Sequence, residues 1–167
     1  MATQNQLFEG YSDFIATRGV REYRETIPVW VNADDVVLEI GCEWGSTTTL
    51  IAPQCKKVIG TDISLKCIER AREKHPDLHF EVLDGFDVRA ALELGEPFSK
   101  IYIDMSGISG YNSLLDTIAL LTSYATVLRP EAIIIKSGAL KRFAGHCNPW
   151  RSPPKESETR PNSSLDN

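Results

Sequence analysis

Short runs of β-branched and aliphatic residues alternate with longer amphipathic segments from Trp30 to about Phe143. Each run is bounded by Gly, Pro, Asp or Ser, as expected of strands that end in turns. The pattern predicts strands over residues 36–40, 57–61, 78–82, 100–103 and 132–136. Because strands that alternate with helices form βαβ units, we predict an α/β fold. Its core would be a doubly wound, mostly parallel five-stranded sheet with helices on both faces.

Two segments between the predicted strands carry clear helix signals. Ser64 is a suitable N-cap for a helix that runs to about Lys74, and Pro76 follows just after its end. A second helix is predicted over residues 113–128, where apolar residues recur at helical spacing and Pro130 stops the helix. Both helices can cover a face of the sheet.

The N-terminal segment, residues 1–31, is expected to be helical. A leading helix over residues 12–31 would pack on the edge of the domain. Arg18, Arg21 and Arg24 occur there at three-residue spacing. A solvated stripe of arginines is the favoured interpretation, and a ligand-binding role is the alternative.

The alternating pattern ends after Phe143. Residues 144–167 are rich in Pro, Ser and charged residues and contain little that a core could bury. We therefore predict one domain over residues 1–143, followed by a disordered tail.

Composition and charge exclude several function classes. Hydrophobic residues make up 42% and charged residues 25% of the 167 residues, which is typical of a globular domain. The net charge of -5 disfavours nucleic acid as a partner. The chain shows neither a basic leader nor an apolar run of about 18 residues, so we expect no membrane partner and a location in the cytoplasm or another intracellular compartment.

The cysteines do not suggest a metal or disulfide framework. No CxxC spacing occurs among the four of them, Cys42, Cys55, Cys67 and Cys147. Without that spacing we expect reduced thiols and no bound metal.

The first predicted strand runs into a turn that contains two glycines, Gly41 and Gly45, and residues 46–49 then open a helix. Glycine permits positive φ and lets a ligand approach the backbone, although a tight turn can need glycine for purely structural reasons. Asp62 ends the second strand 17 residues after Gly45. A carboxylate at an offset of about 20 residues is suited to binding a ribose. Together the glycines and Asp62 favour a nucleotide-type cofactor.

The third and fourth predicted strands also end in acidic residues. Asp84-Gly85-Phe86 follows the third strand, and Asp104 follows the fourth. The carboxyl ends of parallel strands share one edge, and ligands bind there in doubly wound sheets. Asp84 is suited to accept a hydrogen bond from an adenine amino group with Phe86 beside the ring. A simple Asp-Gly turn is the other explanation.

In this order and spacing, the motifs E-I-G-C-E-W-G, T-D-I-S, L-D-G-F and I-D-M-S-G resemble those of class I S-adenosylmethionine-dependent methyltransferases, over residues 31–141. The resemblance implies S-adenosylmethionine as cofactor and transfer of its methyl group to an acceptor. It also implies individual roles. Glu39, Gly41 and Gly45 would shape the loop around the methionine part, Asp62 would bind the ribose hydroxyls, Asp84 would read the adenine, and Asp104 would face the methyl-transfer site. The further cofactor-binding residues expected are Cys42, Glu43, Ile63, Gly85 and Phe86.

The resemblance leaves the acceptor open. Asp104 together with Lys136 is similar to the Asp and Lys pair of RNA ribose 2′-O-methyltransferases of the fibrillarin and FtsJ-like kinds. A lysine whose pKa is lowered by burial can act on a hydroxyl, and a neighbouring carboxylate would orient it, whereas a lysine at a strand end more simply extends to water. The leading hypothesis is therefore a methyltransferase of unassigned acceptor with Asp104 and Lys136 as catalytic residues. An RNA ribose 2′-O-methyltransferase is an alternative.

Two departures from the family pattern support other hypotheses. Glu43 stands where the family loop usually has a glycine, and the two strands that usually finish the family sheet are not predicted after Phe143. The resulting exposed sheet edge could pair with a protein partner or a second copy of the chain. One alternative is therefore a catalytically inactive methyltransferase-like subunit. A nicotinamide-dependent oxidoreductase is another, although the spacing from Gly41 to Gly45 is not G-x-G-x-x-G.

Overall fold

A computed structural model describes residues 12–108 and 110–148. Six strands form one sheet: β1 (Asp13–Thr17), β2 (Val36–Ile40), β3 (Lys57–Asp62), β4 (His79–Val82), β5 (Lys100–Ile103) and β6 (Ala132–Lys136). The strand order is β1-β6-β5-β2-β3-β4, and every neighbouring pair is parallel. The predicted α/β class with a parallel, doubly wound sheet is confirmed.

Helices cover both faces of this sheet. They are α1 (Val20–Glu25), α2 (Ile27–Trp30), α3 (Thr48–Ile51), α4 (Leu65–Lys74), α5 (Val88–Glu93), α6 (Leu114–Val127) and α7 (Gly138–His146), with short 3-10 turns at Ala52–Gln54 and Tyr111–Ser113. Ser64 caps α4 as predicted, since its hydroxyl accepts a hydrogen bond from the Cys67 N–H at 3.3 Å. Within the described residues, no helix is long and apolar enough to span a membrane.

Both faces of the sheet carry a hydrophobic core, because successive residues of each strand point to opposite faces. On one face, Leu38 and Ile40 of β2 belong to a cluster that also contains Tyr124 of α6. On the other face, Val37 of β2 belongs to a cluster that contains Tyr23 of α1. Both faces of the sheet are therefore covered, so polar groups of the sheet can meet a ligand only at the strand ends.

The predicted leading helix over residues 12–31 is wrong in its first part, because residues 13–17 form β1. This strand pairs with β6 from Asp13 opposite Ala132 to Thr17 opposite Lys136. The Ser12 hydroxyl donates to the Pro130 carbonyl at 2.5 Å and so fixes the start of the pairing. A partner strand distant in sequence overrides the local helical pattern, which resumes only after residue 19.

The same strand corrects two further expectations. The sheet has six strands instead of five, and the edge beside residues 132–136 that was expected to be exposed is occupied by β1. At the other end, α7 continues to His146, so residues 144–146 are helical and not part of a disordered tail. Ser137 caps α7 by accepting from the Leu140 N–H, a signal that lies directly after the last predicted strand. Residues 149–167 of the predicted tail lie outside the described residues.

Candidate functional site

The predicted site residues lie at or just after the carboxyl ends of β2, β3, β4, β5 and β6. Because these strands are parallel, their carboxyl ends lie along one edge of the sheet. The structure brings three pairs of predicted residues into direct proximity: Gly41 with Asp104, Glu43 with Asp62, and Asp104 with Lys136.

Gly41, directly after β2, lies against the backbone of Asp104, directly after β5. Its φ is +84°, and a Cβ atom added there would lie 2.1 Å from the backbone oxygen of Asp104. Its N–H and that of Cys42 both donate to the Thr61 carbonyl, at 2.7 and 2.8 Å. Only glycine fits this position, because the two chain segments pack backbone against backbone at the sheet edge; we call this contact the Gly41 cradle.

Glu43 adopts a backbone conformation that favours glycine. Its φ is +50°, although it carries a side chain. Its N–H donates to Oδ2 of Asp62 at 3.1 Å, and Oδ1 of Asp62 accepts from the Ser64 N–H at 2.9 Å. Asp62 thus ties the loop after β2 to the start of α4. The loop keeps the conformation of a glycine-containing turn despite the substitution.

Gly45 ends this loop against the neighbouring strand. Its φ is +81°, and a Cβ there would lie 2.7 Å from Cζ of Phe80. The preceding Trp44 packs against α4, with the Arg70 guanidinium carbon 4.6 Å and the Lys74 ammonium 4.8 Å from its ring centroid. These cation–π contacts anchor the loop to α4.

Glu39 and Cys42 lie beneath the loop and not on its surface. Glu39 is 1% exposed, and its carboxylate accepts a hydrogen bond from the Thr48 hydroxyl at 2.5 Å. Burial raises the pKa of Glu39 to about 7, and the negative charge of Asp104 adds to this effect; the Thr48 hydrogen bond and the positive charge of Arg24 oppose it. Burial also raises the pKa of the Cys42 thiol. Glu39 therefore stabilises the loop through its buried hydrogen bond to Thr48.

The predicted adenine side carries exposed apolar side chains. Ile63 is 67% and Phe86 52% exposed. Oδ1 of Asp84 accepts from the Phe86 N–H at 3.0 Å, which holds the turn. Gly85 is buried, and a Cβ there would lie 2.6 Å from the Met105 sulfur. The turn thus presents an aromatic face and a carboxylate to a ligand, while Gly85 lets it pack closely.

Asp104 and Lys136 form an ion pair across neighbouring strand ends. The ammonium of Lys136 contacts Oδ1 of Asp104, and their side chains are 29% and 19% exposed, respectively. Lys136 therefore does not simply extend to water. The pair is half-buried beside the Gly41 cradle, where a proton donor or acceptor can face a bound molecule.

Three residues at this edge were not predicted from the sequence. Tyr23 and Arg24 come from α1, and Thr48 opens α3. From its spacing with Arg18 and Arg21, Arg24 was expected on a solvated stripe, with ligand binding as the alternative. That spacing does not show that Arg24 turns inward, where its Nε donates to the Thr47 hydroxyl at 3.1 Å.

Among the described residues, no group of three His, Cys, Asp or Glu side chains is arranged to hold a metal ion. Cys42, Cys55, Cys67 and Cys147 are free thiols.

A family model described as "Methyltransferase domain" matches residues 37–131, which is 95 of the 167 residues. Among curated proteins, none matches the chain in sequence.

Solved methyltransferase structures share the fold at low sequence identity. DesVI of Streptomyces venezuelae superposes with a TM-score of 0.54 and 19% identity over 70% of this chain and 48% of that chain. The precorrin-6y C5,15-methyltransferase of Geobacter metallireducens GS-15 gives a TM-score of 0.52 and 14% identity over 75% of this chain and 64% of that chain. The chain thus spans less than two thirds of the length of either. With the family match, the resemblance noted in the sequence is confirmed: the chain belongs to the methyltransferase domain family and has the class I S-adenosylmethionine-dependent methyltransferase fold.

Proposed function

We propose that this protein binds S-adenosylmethionine at the carboxyl edge of its sheet and transfers the methyl group to an acceptor held beside Asp104. The observation that carries the proposal is the Gly41 cradle. A side chain at Gly41 would meet the Asp104 backbone at 2.1 Å, so glycine there lets the loop after β2 lie directly against the residue expected at the methyl-transfer site.

The residues present suit this cofactor. Each Asp62 oxygen accepts one backbone hydrogen bond, and a carboxylate has about four acceptor sites, so Asp62 can also accept from two ribose hydroxyls. The exposed side chains of Ile63 and Phe86 can cover the faces of an adenine ring. Asp84, which is also exposed, can accept from the adenine amino group.

When bound, S-adenosylmethionine supplies an electrophilic methyl group on a sulfonium. The protein's part is then to hold an acceptor in line with that methyl group and to take up its proton. The backbone of Asp104 lies against Gly41, and the Asp104 carboxylate is paired with the Lys136 ammonium. We therefore assign the acceptor side of the site to the Asp104–Lys136 pair.

Calorimetric titration tests the cofactor assignment. We expect wild-type protein to bind S-adenosylmethionine and S-adenosylhomocysteine, and Asp62→Ala to lower both affinities at least about tenfold, because charge-assisted hydrogen bonds are lost. Asp77→Ala, at an exposed position in the turn before β4, is the matched control and should leave the affinities unchanged. Equal binding by the Asp62→Ala and wild-type proteins would overturn the assigned site.

A hydroxyl acceptor, and the ribose 2′-hydroxyl of RNA in particular, is a second candidate. The Asp104–Lys136 ion pair favours it, because a hydroxyl must lose its proton on methylation and the pair can accept that proton. Incubation with labelled S-adenosylmethionine and RNA, followed by digestion to nucleosides, tests it. Label in 2′-O-methylnucleosides would support the candidate; unlabelled RNA would exclude it.

Cofactor binding without transfer to any acceptor in a broad panel would favour an inactive subunit.

A further inference from the structure

An apolar groove of about 290 Å³ lies between β1, α6 and α7. Its lining includes Phe14 of β1, Ile118 of α6 and Phe143 of α7, which are 47%, 36% and 47% exposed. Buried Leu121 and Leu140 also line it. Single exposed apolar side chains are ordinary on a protein surface, whereas a contiguous set around a groove indicates a docking site.

The chain leaves the described part of the structure at this groove. Cys147, which follows α7 directly, belongs to the groove lining. Residues 149–167 continue from there, and Trp150 is the one aromatic residue among them. Three residues span at most about 11 Å, so the α-carbon of Trp150 lies within that distance of the Cys147 α-carbon. Trp150 can therefore reach the groove over a very short connection.

The groove suits one large aromatic side chain in both size and chemistry. Its volume is just below the range of about 300–1,000 Å³ that small-molecule pockets occupy. A tryptophan buries a large apolar area, and its indole N–H needs a hydrogen-bond acceptor when it is buried. Thr122 lines the groove, and its hydroxyl donates to the Ile118 carbonyl at 2.8 Å. The lone pairs of that hydroxyl oxygen can accept the indole N–H.

Phe8 is the competing occupant from the other end of the chain. It lies six residues before Phe14, whereas Trp150 lies three residues after the nearest groove residue. Every residue that becomes ordered loses conformational entropy, so the shorter connection is favoured. Pro149 and Pro153 also restrict the chain around Trp150 before it docks.

We propose that Trp150 inserts into this groove and packs the start of the C-terminal segment against β1 and α7. The inserted indole covers Phe14 and Phe143 and adds contacts to β1, whose strand partner is β6. The folded domain then includes residue 150. The inference does not depend on the proposed function, because none of the predicted site residues is among the described residues that line the groove.

Fluorine NMR of the full chain labelled with 5-fluorotryptophan tests the insertion. The chain contains three tryptophans, and Trp150→Phe identifies the resonance of the third. An exposed fluoroindole changes its chemical shift between H2O and D2O, whereas a buried one does not. We expect the Trp150 resonance of the folded protein to show a much smaller solvent shift than in the urea-unfolded protein.

Two lysine variants test whether the groove is the place of insertion. Thr122→Lys introduces an ammonium into the groove and should restore the full solvent shift of the Trp150 resonance. Ser123→Lys is the matched control, because both hydroxyls donate at 2.8 Å to the carbonyl four residues earlier and both residues are exposed. Ser123 is not among the groove residues, so its variant should keep the wild-type resonance.

Urea unfolding gives a second measurement. Trp150→Ala should lower the urea concentration at the unfolding midpoint in the wild type and in Ser123→Lys. In Thr122→Lys it should have no further effect, because the contact is already lost.

Three results would overturn the proposal. A full solvent shift of the Trp150 resonance in the folded wild type would show that the indole is exposed, and a lower unfolding midpoint in Phe8→Ala would then assign the groove to Phe8. Protection that survives Thr122→Lys would place the indole elsewhere. Protection that disappears on dilution would show that Trp150 occupies the groove of a second copy.

Discussion

The α-carbon of Gly41 lies so close to Asp104 that an added Cβ would be 2.1 Å from the Asp104 backbone oxygen. These two residues follow the ends of β2 and β5, which pair in parallel. The contact joins the predicted cofactor loop to the predicted methyl-transfer residue. The geometry of the cofactor loop therefore depends on the position of Asp104.

Gly41→Ala should destabilise the protein and weaken cofactor binding. Alanine at φ +84° costs about 1–2 kcal/mol, and separation of the two strand ends adds to this cost. We expect the free energy of unfolding in urea to fall by at least about 2 kcal/mol. Gly110→Ala is the control, since a Cβ there meets no atom within 4 Å. Equal stability of the two variants would show that the loop can move away from Asp104.

Glu43→Gly should stabilise the protein. The left-handed backbone at φ +50° costs a residue with a side chain about 1–2 kcal/mol, and the greater freedom of glycine in the unfolded chain offsets part of the gain. The expected net increase in the free energy of unfolding is roughly 0.5–1 kcal/mol. Glu43→Ala keeps the strained backbone and should show no increase. A gain of the same size in Glu43→Ala would attribute the effect to the side chain.

The Asp104–Lys136 pair should matter more for transfer than for stability. Asp104→Asn and Lys136→Met should each change the free energy of unfolding by no more than about 1 kcal/mol, because both groups are partly exposed. Once an acceptor is known, single-turnover methyl transfer should fall about 10²–10⁴-fold while cofactor affinity changes little.

Lys57→Met is the control for this pair. It breaks an ion pair of 2.6 Å with Glu96, and Lys57 begins β3 at the opposite edge of the sheet from the site. Its transfer rate should equal that of the wild type. Wild-type rates in both Asp104→Asn and Lys136→Met would remove the pair from the reaction.

The buried strands could be predicted from the sequence because their signals are local. Residues 36–40, 100–103 and 132–136 form strands with the predicted bounds, and each is an apolar run flanked by turn residues. The strand over residues 13–17 could not be predicted in this way. It is short and partly exposed, and its pairing with β6 joins residues about 118 positions apart.

The residues of the candidate site differ in the same way: those at strand ends could be predicted from the sequence, and those from α1 could not. The strand-end residues Gly41, Asp62 and Asp104 were predicted to share an edge because parallel strands place their ends together, and the structure has them there. Arg24 and Tyr23 depend on how α1 lies over the sheet. That placement follows from the pairing of β1 with β6, so no local pattern indicates it.

Glu39 should make the stability of the protein depend on pH near neutrality. Its pKa is about 7 in the folded protein, against an ordinary value of 4.5. Between these values the folded state holds a proton that the unfolded state has lost, so stability falls as pH rises from about 4.5 to 7 and is level above that range. The fall is roughly 3 kcal/mol, from about 1.4 kcal/mol for each pKa unit. Urea unfolding from pH 5 to pH 8 measures it.

Glu39→Gln isolates this contribution, because all other titrating groups remain in both proteins. The stability of the wild type relative to Glu39→Gln should decrease with pH up to about 7. Thr48→Val removes the hydrogen bond that lowers the Glu39 pKa, so the decrease should continue to a higher pH. Thr122→Val, at an exposed position of α6, should keep the wild-type profile. Parallel profiles for wild type and Glu39→Gln would mean that the folded protein holds Glu39 ionised, and that Thr48 and Arg24 outweigh the cost of its burial.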